Sequence, residues 1–183
     1  INVVLVFLVQ HRGVGQLRQL AVIASKNHFH SSMNSNAQFQ NTMTVEEVLN
    51  GKPVIWPLTA PMCAPVGDGA AAAIVCSADF LKKMKNARPV KILASVLGSG
   101  TNRRHDALDL DIGTRLSRQA YDIAGVGPGD INVAEVHDAT SFGELHQCES
   151  LGFCPIGEGG PFAETGATML GGKIPMNTSG GLE

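Results

Sequence analysis

Apolar positions recur at helical spacing in two stretches of the chain. Residues 16–24 place apolar side chains at 17, 20, 21 and 24, and residues 112–124 place them at 112, 116, 120, 123 and 124, just before Gly125. This spacing puts the apolar side chains on one face of a helix, and a glycine commonly follows a helix end. The pattern therefore predicts two amphipathic helices.

Two four-residue motifs indicate where further helices begin. Residues 44–47 (Thr-Val-Glu-Glu) and 141–144 (Ser-Phe-Gly-Glu) have capping-box spacing, in which a hydroxyl and a carboxylate each bond to the other residue's backbone amide. They predict a short helix that ends at Gly51 and a longer one that ends at Gly152. The longer helix is expected to bury Phe142, Leu145, Cys148 and Leu151. A further short helix is predicted over residues 77–84.

Apolar runs between the helices predict strands. Residues 68–76 lead from small side chains into Ile-Val-Cys, which indicates a buried strand or one packed closely beneath a helix. Residues 90–97 and 131–136 are the other strand candidates, whereas residues 26–43, polar and rich in Asn and Ser, predict a loop. Strands that alternate with helices predict a layered α/β fold with parallel pairing.

The composition narrows the class of protein. The chain has 183 residues, 44% hydrophobic and 16% charged, with a net charge of −2; this excludes a disordered chain and provides no basic surface for nucleic acid. The apolar run at residues 3–9 is much shorter than the roughly 20 residues of a membrane span, and it lacks the flanking features of a signal peptide. Four cysteines without a C-x-x-C pair indicate reduced thiols in an intracellular, cytoplasmic protein.

Chemistry is expected where residues 131–136 run into His137 and Asp138. The carboxyl end of a strand, facing a helix N-terminus, is where ligands bind in open α/β sheets. The helix end carries partial positive charge that suits an oxyanion, and a histidine there can donate a hydrogen bond or transfer a proton. The alternative is that His137 only caps or packs. Asp138 is expected to bind backbone amides or to orient the histidine.

Two other groups of residues are weaker candidates for chemistry. His28 and His30 could form a metal pair, but no third ligand lies at a useful spacing, so a solvated loop is favoured. Cys63 could be a nucleophile, but no helix N-terminus or basic neighbour is evident that would lower its pKa. The sequence therefore predicts no metal site.

Several longer stretches, in this order, resemble the thiolase superfamily. Within it they are most similar to the branch of sterol carrier protein x-type thiolases and bacterial lipid-transfer-type relatives, and the similarity covers roughly residues 17–183. The matching stretches are KNHFHSSMNSNAQFQ (26–40), PLTAPMCAPVGDGAAAAIV (57–75), INVAEVHDATSFGELHQCESLGFCPIGEGG (131–160) and GGKIPMNTSGGLE (171–183).

The resemblance implies a thiolase-like fold. In this fold two similar halves, with mixed sheets and parallel βα units, stack as the layers α-β-α-β-α, usually in a homodimer. Residues 1–88 would form the end of the N-terminal half with part of its loop region, and residues 89–183 a C-terminal half without its last strands. Thiolases carry an acyl group on a cysteine and make or break a carbon–carbon bond beside a coenzyme A thioester. The implied substrate is a 3-oxoacyl-coenzyme A, with no bound cofactor.

The resemblance also implies roles for particular residues. His137 falls on the first residue of the His-Asp-Cys-Phe motif of sterol-carrier-type thiolases and is therefore the catalytic candidate. Residues 63–65 match a loop that lies along the pantetheine arm in relatives. Residues 177–181 come just before the position of the family's Gly-His-Pro motif. The substrate-binding residues implied by these two stretches are Cys63, Ala64, Pro65, Asn177 and Gly180.

Departures from the family leave the reaction open. The motif's cysteine, which is thought to handle the α-proton, is Ala139 here, and a methyl group cannot move a proton. The acyl-accepting cysteine should lie before Ile1, and the Gly-His-Pro segment after Glu183. The alternatives to an acyltransferase are a retro-aldolase of steroid side-chain-type acyl-coenzyme A, with a small partner protein, and a non-catalytic lipid-binding protein. Alone, the chain is expected to be inactive and prone to association.

Overall fold

The computed structural model describes residues 15–104 and 106–183. The apolar run at residues 3–9 lies outside these ranges. Within them, no helix is both long and apolar enough to cross a lipid bilayer.

The first helix, α1 (Gly15–Ser31), confirms the helix predicted over residues 16–24 but is longer. The predicted loop is therefore wrong for residues 26–31. The polar side chains of this last part of the helix are buried, whereas Phe29 between them is 41% exposed. Those buried side chains are Lys26, Asn27, His28 and His30. Polarity does not indicate exposure here, because Lys26, Asn27 and His30 find hydrogen-bond partners inside the protein.

Helix α2 (Val45–Leu49) starts with the predicted capping box. The Glu47 amide donates to Thr44 Oγ1 at 3.2 Å, and the Thr44 amide donates to Glu47 Oε2 at 2.7 Å. The two strands that follow, β1 (Pro53–Ile55) and β2 (Leu58–Thr59), pair antiparallel as a small hairpin. A single 3₁₀ turn (Ala60–Met62) then leads into residue 63.

The three predicted strands do not form as regular strands in the structure. Residues 68–76 and 90–97 form no ladder, and the prediction of a buried strand is wrong because Ile74 is 83% exposed. In residues 131–136 there is one parallel bridge, between Ala134 and Met176. A strand is defined by hydrogen bonds to a neighbouring strand. Among these three predicted segments, the described part of the chain provides such a neighbour only for Ala134.

The remaining helices agree with the sequence to different degrees. Helix α3 (Ala78–Leu81) is shorter than predicted, and α4 (Ile112–Ala124) ends as predicted at Gly125, whose φ is 69°. Helix α5 (Ser141–Ser150) ends just before Gly152, but its predicted capping box is wrong. Its N-cap is Thr140 without a side-chain bond, since the Glu144 carboxylate is bound inside the protein. Helix α6 (Gly159–Glu164) follows.

The core lies where α1 packs against α2, α5 and α6. One cluster of buried side chains joins these elements, and it consists of Leu20, Ala21, Ile23, Ala24, Val48, Leu58, Met62, Leu145 and Ala163. A second cluster lies behind α5 and consists of Cys148, Phe153, Cys154, Ile174 and Met176. On α5, Leu145 and Cys148 are buried as predicted, while Phe142 and Leu151 are half-buried. The N-terminal part of α5 is therefore held firmly against α1.

Candidate functional site

The loop at residues 63–65 lies directly beside residues 139 and 140. Cys63 forms an isolated antiparallel bridge with Thr140, and the Ala64 amide donates to the Ala139 carbonyl at 3.1 Å. The sequence placed these two segments in different matching stretches, and the structure brings them together. The candidate substrate-binding loop thus borders the motif residues at the N-terminus of α5.

Asp138, the second residue of the motif, is completely buried. Its carboxylate accepts hydrogen bonds from Asn27 Nδ2 at 2.9 Å and from the Leu182 amide at 2.8 Å. Burial, aided by the negative charge of Glu144, raises the pKa of Asp138 to about 6. The expectation that Asp138 binds a backbone amide is met at Leu182, and its carboxylate thereby ties the end of the described chain to the start of α5.

Behind Asp138 lies a buried ion pair that the sequence did not predict. Lys26 Nζ lies 2.8 Å from Glu144 Oε1, and it also donates to the Met176 carbonyl at 2.8 Å. The other carboxylate oxygen of Glu144 accepts from Asn27 Nδ2 and Asn177 Nδ2, each at 3.0 Å. The only signal of this pair in the sequence is a run of polar residues that continues the register of α1, a pattern that by itself predicts a loop.

The side chain and the backbone of Asn177 form hydrogen bonds within the protein. Its Oδ1 accepts from the Val136 amide at 2.8 Å, and its carbonyl accepts from the Gly180 amide at 2.9 Å. The backbone of Asn177 is left-handed, with φ of 49°, and Gly180 has φ of 107°. Both residues shape the turn that brings the end of the chain back to Asp138. Their predicted contact with substrate stays a prediction.

His30 fastens the same turn from the side of α1. Its Nδ1 lies 3.0 Å from the Asn177 carbonyl, and the Leu170 amide donates to its Nε2 at 3.2 Å. Burial lowers the pKa of His30, so the ring is neutral. The predicted solvated loop around His28 and His30 is wrong. No group of potential metal ligands is found in the described ranges of the chain.

His137 presents an exposed side chain, and its carbonyl accepts from Gln147 Nε2 at 2.5 Å. The ring is not part of the cleft wall described below. The residues before it form no regular strand, so the strand end on which the prediction rested is wrong. The catalytic role of His137 stays a prediction.

A cleft of about 500 Å³ opens beside the loop at residues 63–65. Most of its wall is apolar, and two buried polar groups, from His28 and Glu183, interrupt it. The wall consists of His28, Phe39, Asn41, Met43, Val54, Ala60, Pro61, Cys63, Ala64, Pro65 and Glu183. The three loop residues predicted to bind substrate thus lie on one concave surface, as a binding site requires.

Glu183 is the polar residue of this cleft that sequence reasoning missed. The Ser141 hydroxyl donates to its Oε2 at 3.0 Å, and 6% of the residue is exposed. Burial, and next the charge of Asp138, raise the pKa of Glu183 well above its usual value. Burial and the charge of Glu183 also raise the pKa of the Cys63 thiol. Cys63 is therefore not an activated nucleophile in this structure.

The chain is similar to known proteins in its C-terminal half and over most of its length. Residues 98–183 match the family described as "Thiolase C-terminal domain-like". The benzoylsuccinyl-CoA thiolase subunit BbsB of Thauera aromatica is 39% identical over 165 residues, which cover 89% of this chain and 43% of that protein. An acetyl-CoA acetyltransferase of Methanothermobacter thermautotrophicus is 42% identical over 168 residues, which cover 90% of this chain and 44% of that protein.

Two further similarities agree with these. Sterol carrier protein 2 of Rattus norvegicus is 37% identical over 174 residues, 91% of this chain and 32% of that protein. The solved structure of an Ltp2-ChsH2(DUF35) aldolase superposes with a TM-score of 0.82 at 28% identity, over 90% of this chain and 45% of that one. The chain thus spans less than half the length of these relatives. Together the similarities confirm the resemblance to the thiolase superfamily seen in the sequence, and the superposition shows a thiolase-like fold.

Proposed function

We propose that the protein containing this chain is a thiolase-like acyltransferase that acts on 3-oxoacyl-coenzyme A thioesters. The observation that carries this proposal is the cleft at residues 63–65, whose loop is hydrogen-bonded to Ala139 in the motif. The names of the relatives, a benzoylsuccinyl-CoA thiolase subunit and an acetyl-CoA acetyltransferase, support the same reaction class. Coenzyme A enters as part of the substrate, and no resident cofactor is proposed.

The chemistry of the cleft suits a thioester with a long flexible arm. Its apolar wall, which includes Phe39 and Met43, can hold the methylene groups of the arm or the acyl chain. The N-terminus of α5 (Ser141–Ser150) supplies partial positive charge for the oxygen that becomes negative when the carbon–carbon bond breaks. His137, four residues before the first residue of this helix, is proposed to donate a hydrogen bond to that oxygen once substrate covers it.

The acyl-accepting cysteine of this mechanism is proposed to come from outside the chain described here. Cys148 and Cys154 are buried with their sulfur atoms 3.6 Å apart, and Cys76 is exposed. Cys63 faces the cleft, but its raised pKa keeps it as a neutral thiol. An acyl group is transferred efficiently to a thiolate, not to a thiol.

A retro-aldolase is the second candidate, and Ala139 favours it. A retro-aldol cleavage needs a base for the 3-hydroxyl group and a stabiliser for the enolate, but it needs no acyl-cysteine. The structural similarity to the Ltp2-ChsH2(DUF35) aldolase supports this candidate. It implies a small partner protein, as the two-part name of that aldolase suggests.

One pair of assays separates these functions. The full-length protein is incubated with a 3-oxoacyl-coenzyme A plus free coenzyme A, or with a 3-hydroxyacyl-coenzyme A alone, and products are identified by mass spectrometry. Two shorter thioesters from the first mixture support the acyltransferase. A thioester and a ketone or aldehyde from the second support the aldolase and overturn the transferase. Binding without either product indicates a lipid-binding protein.

The architecture of the complete protein is part of the proposal. We propose the layers α-β-α-β-α with residues 1–88 and 89–183 in different halves, a homodimer and a cytoplasmic location. Apolar side chains of residues 90–97 support this arrangement, because Val90 is 90% and Leu97 is 97% exposed without further strands. Light scattering of the full-length protein tests the dimer, and a monomer would contradict it. The chain of 183 residues alone is predicted to be inactive.

A further inference from the structure

Two residues of the cleft wall beside residues 63–65 carry buried polar atoms without partners. These atoms are Glu183 Oε1 and His28 Nδ1, which find no hydrogen-bond partner among the residues that the structure describes. Glu183 is 6% and His28 is 4% exposed, and both belong to the cleft wall. A buried polar atom without a partner is unfavourable, so a group that enters the cleft and bonds to it is stabilised. The arrangement points to a ligand that meets the Glu183 carboxyl.

The surroundings of Glu183 favour its protonated form. Asp138 and Glu144 are the acidic groups that face it, and the nearby cation, Lys26, is already bound to Glu144. The hydroxyl of Ser141 donates to Glu183, and Cys63, whose pKa is raised, is a further neighbour. A raised pKa makes the carboxylate a stronger base and lets the carboxylic acid persist to higher pH, and reversible proton transfer uses both forms.

A contact with the start of α5 locates the Glu183 carboxyl relative to Ala139. Ser141, which donates to Glu183, begins α5 two residues after Ala139. The loop at Cys63 and Ala64 runs alongside Ala139 and Thr140 and shares the cleft with Glu183. The carboxyl therefore lies at the same end of the helix as the alanine that replaces the motif's proton-transferring cysteine.

We propose that Glu183 transfers the proton to and from the α-carbon of the acyl-coenzyme A bound in this cleft. In one direction the carboxylate takes the proton from the α-carbon, and the C–H electron pair moves to the thioester carbonyl to give an enolate. In the other direction the carboxylic acid protonates the enolate carbon, which restores the carbonyl and the carboxylate. The step is balanced without an oxidant, a reductant or a metal. It rests on the proposed function, since it requires an acyl-coenzyme A in the cleft.

Exchange of α-hydrogen for deuterium measures this step without carbon–carbon cleavage. The full-length protein is incubated in D₂O with a saturated acyl-coenzyme A, and deuterium at the α-carbon is followed by mass spectrometry. Glu183→Gln is expected to lower the exchange rate by about 100-fold or more, with Kd for the thioester changed less than about threefold. Glu183→Asp, which keeps the carboxyl, is expected to restore part of the rate with an altered pH profile. Glu158→Gln removes an exposed carboxyl outside the cleft and is the matched control.

The outcomes distinguish this inference from the proposed function. If the wild type binds the thioester and exchanges its α-hydrogen, but Glu183→Gln does so equally fast, Glu183 is not the proton-transfer group and the proposed function stands. If the wild type binds the thioester without exchange, the inference also fails. If the wild type does not bind the thioester at all, both proposals fail together. Circular dichroism of each variant confirms that the comparison is made on folded protein.

Discussion

Lys26 Nζ lies 2.8 Å from Glu144 Oε1, and only 2% and 1% of the two side chains is exposed. The pair joins α1 to α5, and both charges are further bound by amide and carbonyl groups. Removing charges from water is costly, so such a pair persists only where its members satisfy each other. The start of α5, which bears the candidate site, is therefore fixed by a contact between residues far apart in the sequence.

Loss of one member of this pair is predicted to destabilise the protein strongly. Lys26→Met leaves the Glu144 carboxylate buried without its cation, which should lower the free energy of unfolding by about 3–5 kcal/mol. Adding Glu144→Gln should recover part of the loss, because the amide oxygen still accepts from Asn27 and Asn177 without carrying a charge. Urea denaturation of the single and double variants measures both effects.

The control for this prediction is an exposed ion pair. Lys82 and Asp79 lie 2.8 Å apart, but their side chains are 76% and 87% exposed. Lys82→Met should change the free energy of unfolding by less than about 1 kcal/mol. An equal loss in Lys26→Met and Lys82→Met would contradict the structural importance of the buried pair.

Gly180 is predicted to tolerate no side chain, because of both its backbone and its neighbour. Its φ is 107°, and a Cβ at this position would lie against the Cβ of Ser31 and 2.8 Å from its Cα. Gly171 has φ of 82° but no heavy atom within 4 Å of such a Cβ. Gly171→Ala should cost about 1–2 kcal/mol from the backbone alone, and Gly180→Ala about 1–3 kcal/mol more. Thermal unfolding of the two variants measures the difference, and equal melting temperatures would show that the close approach has no effect.

The sequence predicted those elements whose signals are local. The helix at 112–124 and the capping box of Thr44 and Glu47 both formed, because each depends on residues within one or two helical turns. The cleft segment at residues 63–65 was also identified, but through family resemblance. Nothing in its own pattern indicates that it lies beside Ala139.

The parts that were missed depend on distant partners. The polar end of α1 is helical because Lys26 and His30 meet Glu144 and Asn177 more than 100 positions away, at separations that no local pattern contains. The same fact explains the wrong capping box, since Glu144 bonds to Lys26 instead of to its own helix end. The predicted strands did not form, also because of distant partners: residues 90–97 have the composition of a strand, but the described residues provide no neighbouring strand.

The stability of the turn around Asn177 is predicted to depend on pH through His30. The Leu170 amide occupies Nε2, so a second proton would break that bond and place a charge in a buried site. Because burial lowers the pKa of His30 below 6.5, the unfolded chain binds this proton at a higher pH than the folded protein does. The contribution of His30 is therefore full above pH 6.5 and is lost as the pH falls below it.

Asp138 is predicted to affect the pH dependence of stability in the opposite direction to His30. Its pKa is raised to about 6, so the folded protein binds its proton before the unfolded chain does as the pH falls, and protonation stabilises the fold.

The effects of His30 and Asp138 on stability are separated by comparing wild type with His30→Gln from pH 7.5 to 5. The variant should cost about 1–3 kcal/mol at pH 7.5. This cost should shrink toward pH 5, and a constant difference would mean that His30 does not titrate between the two states.

Cys63 provides the most direct test of the cleft as the acyl-coenzyme A site. Cys76 is exposed, Cys63 is half-buried in the cleft wall, and Cys148 and Cys154 are buried. Alkylation proceeds through the thiolate, so the raised pKa of Cys63 should make this residue react with iodoacetamide more slowly than Cys76 at pH 7. The rate at Cys63 should increase as the pH rises. A bound thioester should slow Cys63 further, by about 100-fold at a concentration 100 times its Kd, and should leave Cys76 unchanged. Mass spectrometry of the labelled peptides resolves the two rates in one sample, so Cys76 serves as the internal control. Equal rates for Cys63 with and without saturating thioester would place the ligand elsewhere, because a pantetheine arm along residues 63–65 cannot leave this sulfur open to the reagent.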